Sequence, residues 1–126
     1  MTKDQRVYLA QILEAADRIA AYTEGGKAAF LTDQRTQDAV ARNFQIIGEA
    51  AKRVTPAYRE AHAEIPWRGL AGFRDVLVHE YETIDLDEMW RVIDDELSPL
   101  VASVRSLLPP LDQLEREIAG EVDLDR

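Results

Sequence analysis

The sequence contains no cysteine, and this absence removes several kinds of site at once. Disulfide bonds, thiolate metal centres and cysteine nucleophiles are all excluded. Histidine is also scarce: there are two, His62 and His79, and neither follows a glutamate by three residues, as a helical di-iron bundle requires. Gly25-Gly26 lacks the lysine and hydroxyl residue that complete a phosphate-binding loop. We therefore expect no metal ion and no cofactor.

Long hydrophobic runs are absent as well. No apolar stretch reaches the roughly 18 residues that a membrane-spanning helix needs. Residues 1–6 are too polar for the start of a signal peptide. These features predict a cytoplasmic protein that has no membrane partner.

Basic residues are outnumbered, with 15 lysines and arginines against 24 aspartates and glutamates, and the formal net charge is −9. Proteins that coat nucleic acid are usually basic, because cations neutralise the phosphates that they contact. Any contact with nucleic acid should therefore be short and local, and a basic partner also fits this charge. Part of the acidity lies near the end of the chain, in Asp112, Glu115, Glu117, Glu121, Asp123 and Asp125.

Helical periodicity, in contrast, runs along nearly the whole sequence. One apolar stripe covers residues 9–19 and is stopped by Gly25-Gly26. A second stripe covers residues 40–54, and Thr32 or Asp33 is placed to cap the start of its helix. No segment alternates between apolar and polar residues as a half-buried strand does.

Capping residues and prolines predict further helical segments in the second half of the chain. Thr55-Pro56 opens a short turn, and Pro66 introduces a longer element over residues 67–81. The last long helix should begin at Asp85, because Glu88 follows it at the spacing of a capping box.

Two proline sites shape the end of that helix. Pro99 should kink it, because proline removes one backbone hydrogen bond and collides with the preceding turn, and Pro109-Pro110 should end it. The pattern predicts an all-α, up-and-down bundle of four to five helices over residues 1–110. Residues 111–126 are expected to form a short acidic helix or a frayed tail.

The segment over residues 69–81 departs from a plain amphipathic helix. Arg74 lies within about 40° of the apolar line through Leu70, and Tyr81 lies within about 20° of it. A cation in that position is paired, reaches the solvent with its charged end, or lies at an interface. The plain alternative is an arginine at a helix–helix boundary whose charge stays in solvent.

His79 lies roughly 140° around the same helix from Arg74, so one straight helix does not direct both side chains to one point. Either the helix ends near His79, or two copies of the helix assemble the site across a two-fold axis. An ordinary histidine at a helix end is the structural alternative, since a positive charge is favoured there.

The second stripe contains Gly48, which costs about 1 kcal/mol relative to alanine inside a helix. Close approach of another helix would explain this glycine. Its neighbours Arg42 and Glu49 either pair with residues of the 69–81 segment or are simply solvated.

The spacing Arg74-x-x-x-x-His79-x-Tyr81 resembles the signature of HepT-like proteins, a branch of the HEPN superfamily. The superfamily pattern is arginine, a polar residue, three variable residues and histidine, and Asp75 stands at the polar position, which is often asparagine in relatives. The likeness covers roughly residues 5–108. It also includes the segments Ala39–Ala50, Ile65-Pro66-Trp67, Gly72–Asp75 and Ile84-Asp85, together with Trp90.

This resemblance implies a HEPN-like bundle in which two protomers place both copies of the motif in one cleft. It implies a metal-independent endoribonuclease that is the toxin of a bacterial type VII-like toxin–antitoxin pair. The partner would be a small nucleotidyltransferase antitoxin of the MNT type, which adenylylates the tyrosine that matches Tyr81. For Tyr81 the alternative is an ordinary amphipathic tyrosine at a helix end.

The chemistry of the motif residues agrees with cleavage of RNA by its own 2′-hydroxyl group, which yields a 2′,3′-cyclic phosphate and a 5′-hydroxyl. The reaction needs a proton-transfer group that titrates near neutrality and a cation for the charge that develops on the phosphate. His79 suits the first role, because imidazole is such a group. Arg74 suits the second, because its planar guanidinium matches phosphate oxygens. Asp75 is expected to orient one of them, and the helical wheel places it beside His79.

Two other interpretations stay open. The first is a HEPN module without catalysis that docks a nucleotidyltransferase or a nucleotide; the net charge favours it, while the presence of both Arg74 and His79 opposes it. The second is a plain structural bundle that forms oligomers. It explains the apolar stripes but not the spacing of Arg74, His79 and Tyr81.

Overall fold

The computed structural model describes the backbone of residues 4–124, and the side chains of this range except those of Tyr81, Leu111 and residues 120–124. This part of the chain is an all-α bundle without a β-strand, which confirms the predicted fold class. No helix in it is long and apolar enough to cross a membrane. The elements are α1 (Arg6–Tyr22), α2 (Lys27–Thr32), α3 (Gln34–Arg53), α4 (Pro56–Ala61), α5 (Trp67–His79), a 3₁₀ turn (Tyr81–Thr83), α6 (Leu86–Arg91), a π-helical turn (Val92–Glu96), α7 (Leu97–Ser106) and α8 (Leu111–Leu124).

Helix α3 is the central element, because it packs against both α1 and α5. It runs antiparallel to α1: the backbone N–H of Thr55, just after α3, donates to the side chain of Gln5, just before α1, at 2.8 Å. At the other end of the pair, Arg18 donates to the side chain of Asn43 at 3.4 Å. The buried apolar residues of α3 are Val40, Ala41, Phe44, Ile47, Ala50 and Ala51.

The remaining helices pack around this centre. Helix α7 packs against α1, and α2 packs against both α3 and α6. Phe30 of α2 is buried and its ring lies 5.7 Å from that of Trp90 in α6. On the other side, the rings of Phe44 and Phe73 are 5.0 Å apart and join α3 to α5.

Three predicted capping residues begin their helices as expected. Asp33, rather than Thr32, caps α3 by accepting from the N–H of Arg35, and Thr55 accepts from the N–H of Tyr58. Asp85 accepts from the N–H groups of Asp87 and Glu88. The predicted capping box is wrong in its second half, because the carboxylate of Glu88 accepts from the guanidinium of Arg91 instead of turning back to Asp85.

Three boundaries differ from the expectations. The short helix α2 was not predicted, because it is six residues long and buries only Phe30. Helix α5 ends at His79 instead of near Tyr81, since the N–H and hydroxyl groups of Thr83 both bond back to the carbonyl of Glu80 and form a 3₁₀ turn. The single long helix expected from Asp85 onward is interrupted by the π-helical turn at Val92–Glu96, which ends three residues before Pro99.

The C-terminal segment is helical up to Leu124 and lies against the start of the chain. Leu114 is buried. Glu117 accepts from the guanidinium of Arg6 at 2.6 Å and from the side-chain amide of Gln113 at 3.0 Å. These two donors lower the pKa of Glu117, so its charged form supports the fold above the ordinary glutamate range, and this support is lost as the pH falls through the lowered pKa.

Gly48 sets the distance between α3 and α5. A Cβ atom at this position would lie 2.1 Å from the Cβ of Arg74 and 2.8 Å from the carbonyl oxygen of Leu70. No side chain, not even a methyl group, fits in this space. The close helix approach expected from Gly48 is therefore present, and it brings Arg74 against α3.

We predict that Gly48→Ala lowers the free energy of unfolding by about 1–3 kcal/mol, because the two helices must move apart to admit the methyl group. Alanine has the higher helix propensity, by about 1 kcal/mol, so any loss must come from the clash. Urea unfolding followed by circular dichroism measures the change. Gly72→Ala is the matched control, because a Cβ at Gly72 meets nothing within 4 Å. The prediction would be contradicted if Gly48→Ala and Gly72→Ala changed the free energy of unfolding by the same amount.

Candidate active site

Arg74 lies at the boundary between α5 and α3, with its stem over Gly48. Its side chain is 24% exposed, and Nη1 donates to Oδ1 of Asp75 at 3.1 Å. Nη2 lies 3.8 Å from Oε1 of Glu49. Of the options that the sequence leaves for this cation, the structure therefore shows a paired one, and Glu49 is one of its partners.

The pairing leaves much of the guanidinium without hydrogen bonds. The distance to Glu49 is an ion-pair distance but is too long for a hydrogen bond. Nε is buried and has no partner in the described part of the chain. Since a guanidinium carries five N–H donors, Arg74 retains unused donors beside a partly exposed surface. Such a planar fork is suited to an oxyanion.

Asp75 holds two cations on one oxygen atom. Its Oδ1 accepts a hydrogen bond from Nζ of Lys52, a residue of α3, at 2.5 Å, and another from Nη1 of Arg74 at 3.1 Å. The hydrogen bond from Lys52, followed by that from Arg74, lowers the pKa of Asp75 below its ordinary value. Asp75 is therefore charged at any pH above the ordinary aspartate range, and this charged form stabilises the fold. The stabilisation is lost as the pH falls through the lowered pKa of Asp75. We refer to Glu49, Lys52, Arg74 and Asp75 as the Arg74 cluster.

The cluster corrects one expectation and adds a residue. The helical wheel places Asp75 beside His79, but the side chain of Asp75 turns to Arg74 and Lys52. A wheel gives only the direction of Cβ, and the long side chains of arginine and lysine bridge the angle. Sequence reasoning missed Lys52; the available signal is its position four residues after Gly48, on the face of α3 that meets α5.

His79 is the last residue of α5 and is exposed. The helix does end there, which is one of the two arrangements that the sequence leaves open. Because His79 is still helical, its Cβ nevertheless points about 140° away from that of Arg74. Its imidazole has no hydrogen bond or ion pair with any described residue, and so none with the Arg74 cluster. Within one chain, Arg74 and His79 are therefore directed to different sides of α5.

The other histidine has a structural environment. The ring of His62 lies 4.3 Å from that of Tyr58, and its carbonyl accepts from the indole N–H of Trp67 at 3.0 Å. Nδ1 of His62 lies 3.8 Å from the carboxylate of Glu64. Nowhere in the described residues do three histidine, aspartate or glutamate side chains gather as metal ligands do.

Tyr81 follows α5 directly, and its backbone begins the 3₁₀ turn. Its side chain lies outside the described part of the structure, so its suggested modification stays a prediction. Beside this end of α5, a groove of about 480 Å³ separates α5 from α3. Arg42 lines the groove from α3 and is exposed, and Val78 lines it from α5 with 43% exposure. The open surface at this helix pair therefore extends beyond the Arg74 cluster.

Comparison with known proteins agrees with this architecture. A family model described as "Ribonuclease HepT-like" matches residues 12–107, which include all of the Arg74 cluster and His79. The chain is 36% identical over 108 residues to the "Probable ribonuclease HepT" of Thermococcus cleftensis, covering 85% of this chain and 98% of that one. It is 34% identical over 107 residues to a "Putative RNase" of Caldanaerobacter subterraneus subsp. tengcongensis, covering 84% of this chain and 96% of that one.

A third relative is longer. The "Gamma-glutamylcyclotransferase and putative RNase" of Methanocaldococcus jannaschii is 36% identical over 114 residues, which cover 90% of this chain but 51% of that protein, so the chain spans about half of its length. No solved structure matches significantly. The family match covers most of the chain and the helices that carry the motif. The chain therefore belongs to the HepT-like family of ribonucleases.

Proposed function

We propose that this chain is a metal-independent endoribonuclease, and that it is the toxin of a toxin–antitoxin pair. The observation that carries the proposal is the contrast between two motif residues. Arg74 is held in place with its buried Nε unpaired, and His79 is exposed without a partner among the described residues. A buried polar atom that only stabilised the bundle would normally have a hydrogen-bond partner, so the unpaired Nε of Arg74 favours a functional role.

The two residues divide the chemistry between them. His79 takes the proton from a 2′-hydroxyl, whose oxygen then attacks the adjacent phosphorus atom, or it gives a proton to the departing 5′-oxygen. The guanidinium of Arg74 donates hydrogen bonds to the phosphate oxygens, where negative charge builds up in the transition state. The P–O5′ bond breaks, and the products are a 2′,3′-cyclic phosphate and a 5′-hydroxyl. Before RNA binds, Asp75 orients Arg74 through the hydrogen bond of 3.1 Å.

A second protomer completes the site in this proposal, because Arg74 and His79 point to different sides of α5. The exposed side of α5 carries Gly72, Val76 with 42% exposure, and His79. In this proposal, a two-fold axis near the C-terminal end of α5 brings the exposed His79 of one protomer to the Arg74 cluster of the other, and the symmetric contact creates two such pairs in one cleft. Val78, which is 43% exposed and lies about 40° from Arg74 around α5, gives the contact apolar area to bury.

Regulation by an antitoxin completes the proposed function. The partner is a nucleotidyltransferase of the MNT type, which transfers an adenylyl group from ATP to the phenolic oxygen of Tyr81 and releases pyrophosphate. The modification places a bulky anion just beyond the end of α5. Such an anion competes for Arg74 and repels RNA phosphates.

We predict that the purified protein cleaves single-stranded RNA in the presence of EDTA and leaves 2′,3′-cyclic phosphate ends. Arg74→Ala and His79→Ala should each reduce kcat/KM by at least about a hundredfold. His62→Ala and Arg116→Ala are the matched controls, because His62 packs on Tyr58 and Arg116 is 73% exposed on α8. Gel analysis with end-group mapping measures the outcome. Equal cleavage by wild type and His79→Ala would refute the mechanism, and no cleavage by the wild type would favour a docking module without catalysis.

A mixing experiment tests the composite site. Arg74→Ala and His79→Ala are each inactive alone, but a heterodimer of the two retains one intact pair of Arg74 and His79 across the interface. After unfolding and joint refolding, the mixture should recover on the order of a quarter of the wild-type activity, since about half of the dimers are mixed and each has one working pair. Activity that stays at the level of the separate variants, or a monomeric mass by analytical ultracentrifugation, would contradict a site shared between protomers.

The modification is tested with a nucleotidyltransferase of the MNT type and ATP. Mass spectrometry should show adenylylation of the wild type, and RNA cleavage should fall in parallel because the added phosphate competes for Arg74. Tyr81→Phe should abolish the modification. Tyr22→Phe is the control, since Tyr22 is 46% exposed and lies on α1. Modification of Tyr81→Phe at the wild-type level would show that another residue is the target.

A further inference from the structure

We propose that Lys52 is a second phosphate-binding residue, which together with Arg74 holds one phosphate group of the RNA, and that Asp75 occupies this position until RNA displaces it. The proposal rests on the proposed ribonuclease function and assigns it a residue outside the Arg74–His79 motif. It is carried by the arrangement of charges in the Arg74 cluster.

The two cations converge on a single atom. Nζ of Lys52 and Nη1 of Arg74 both donate to Oδ1 of Asp75, at 2.5 and 3.1 Å. Two nitrogens that share one oxygen are close enough to bond to two oxygens of the same phosphate. A phosphate group is larger than a carboxylate and offers more acceptor atoms, so it can accept from Lys52 and from Arg74 at the same time.

The position of Lys52 follows from the helix crossing. Gly48 is the point where α3 touches the stem of Arg74, and Lys52 is one helical turn further along the same face of α3. The guanidinium of Arg74 lies 3.8 Å from Glu49, the neighbour of Gly48, and bonds to the same carboxylate as Lys52, that of Asp75. The contact that fixes Arg74 therefore also places Lys52 beside it.

The internal ion pairs are of a kind that a ligand can replace. The side chains of Lys52 and Asp75 are 42% and 47% exposed, and exposed ion pairs contribute little to stability. Within the described cluster, two carboxylates balance two cations, so the cluster has no net charge while Asp75 stays in place. In a chain with a formal net charge of −9, displacement of one carboxylate is a local route to a positive phosphate site.

The proposal predicts opposite effects for the two partners of this ion pair. Lys52→Met removes a phosphate ligand and should weaken RNA binding by about tenfold. Asp75→Asn removes the competing carboxylate and should strengthen RNA binding. An ion pair that only joined α3 to α5 would respond in the same direction to both changes, because either substitution breaks it.

Binding of fluorescein-labelled single-stranded RNA is measured by anisotropy between low and moderate salt, with every variant in the His79→Ala background so that the RNA stays intact. Loss of one phosphate contact reduces the slope of log Kd against log salt by about 0.7 for single strands, and Lys52→Met should show this reduction. Lys52→Arg should restore both affinity and slope. Lys27→Met is the control, because Lys27 forms a comparable exposed ion pair with Asp87 at 3.3 Å on α2 and carries the same charge.

Equal affinities and slopes for Lys52→Met and Lys27→Met would overturn the proposal, and so would weaker binding by both Lys52→Met and Asp75→Asn. Cleavage by the protein with an unmodified His79 is measured in parallel. Cleavage by the wild type without any effect of Lys52→Met on binding would overturn the role of Lys52 alone. Absence of cleavage by the wild type would overturn the proposed function itself.

Discussion

The structure depends on one close contact, the crossing of α3 and α5 at Gly48. The missing side chain at this residue allows the stem of Arg74 to lie directly on the backbone of α3. The crossing provides apolar contacts, such as that between Phe44 and Phe73, and it also determines where a positive charge lies at the edge of the core. The same helix crossing therefore fixes both the packing of the core and the position of Arg74. A helix pair spaced further apart would keep its apolar core but would lose the place at which Arg74 meets Glu49 and Lys52.

The Arg74 cluster places two cations side by side at the surface of an acidic protein, which is the arrangement that the proposed phosphate site requires. Lys52 and Arg74 both pair with Asp75, and because these side chains are partly exposed, the ion pairs contribute little to stability. The same two carboxylates, Glu49 and Asp75, balance the charges of Lys52 and Arg74 within the cluster. His79, in contrast, has no partner among the described residues and stands at the end of its helix. Arg74 is thus held by ion pairs with Glu49 and Asp75, whereas the side chain of His79 is exposed to solvent.

Much of the fold could be predicted from the sequence, because its signals are local. Apolar periodicity located the long helices, and Asp33, Thr55 and Asp85 marked helix starts through hydrogen bonds to backbone groups two or three residues away. Helix α2 was not predicted because six residues are too few for a recognisable apolar periodicity. The end of α5 was predicted too late in the chain, because Thr83 bonds back to the carbonyl of Glu80 and forms a separate turn. In the candidate site, the spacing of Arg74 and His79 drew attention to both residues, and Asp75 was expected to orient one of them. The sequence did not indicate Lys52, and the helical wheel placed Asp75 beside His79 although it bonds to Arg74, because both contacts depend on how two helices meet and on the bends of long side chains.

The contact between Arg6 and Glu117 has a consequence for the order in which the helices fold during synthesis. Glu117 is synthesised long after the three helices that build the centre of the bundle, so α1, α3 and α5 can associate while α8 is still inside the exit tunnel. The residues of the Arg74 cluster all lie between Glu49 and Asp75 and do not require that last helix. Docking of α8, through the buried Leu114 and the contact between Glu117 and Arg6, therefore joins the two ends of the bundle only after its central helices have been made.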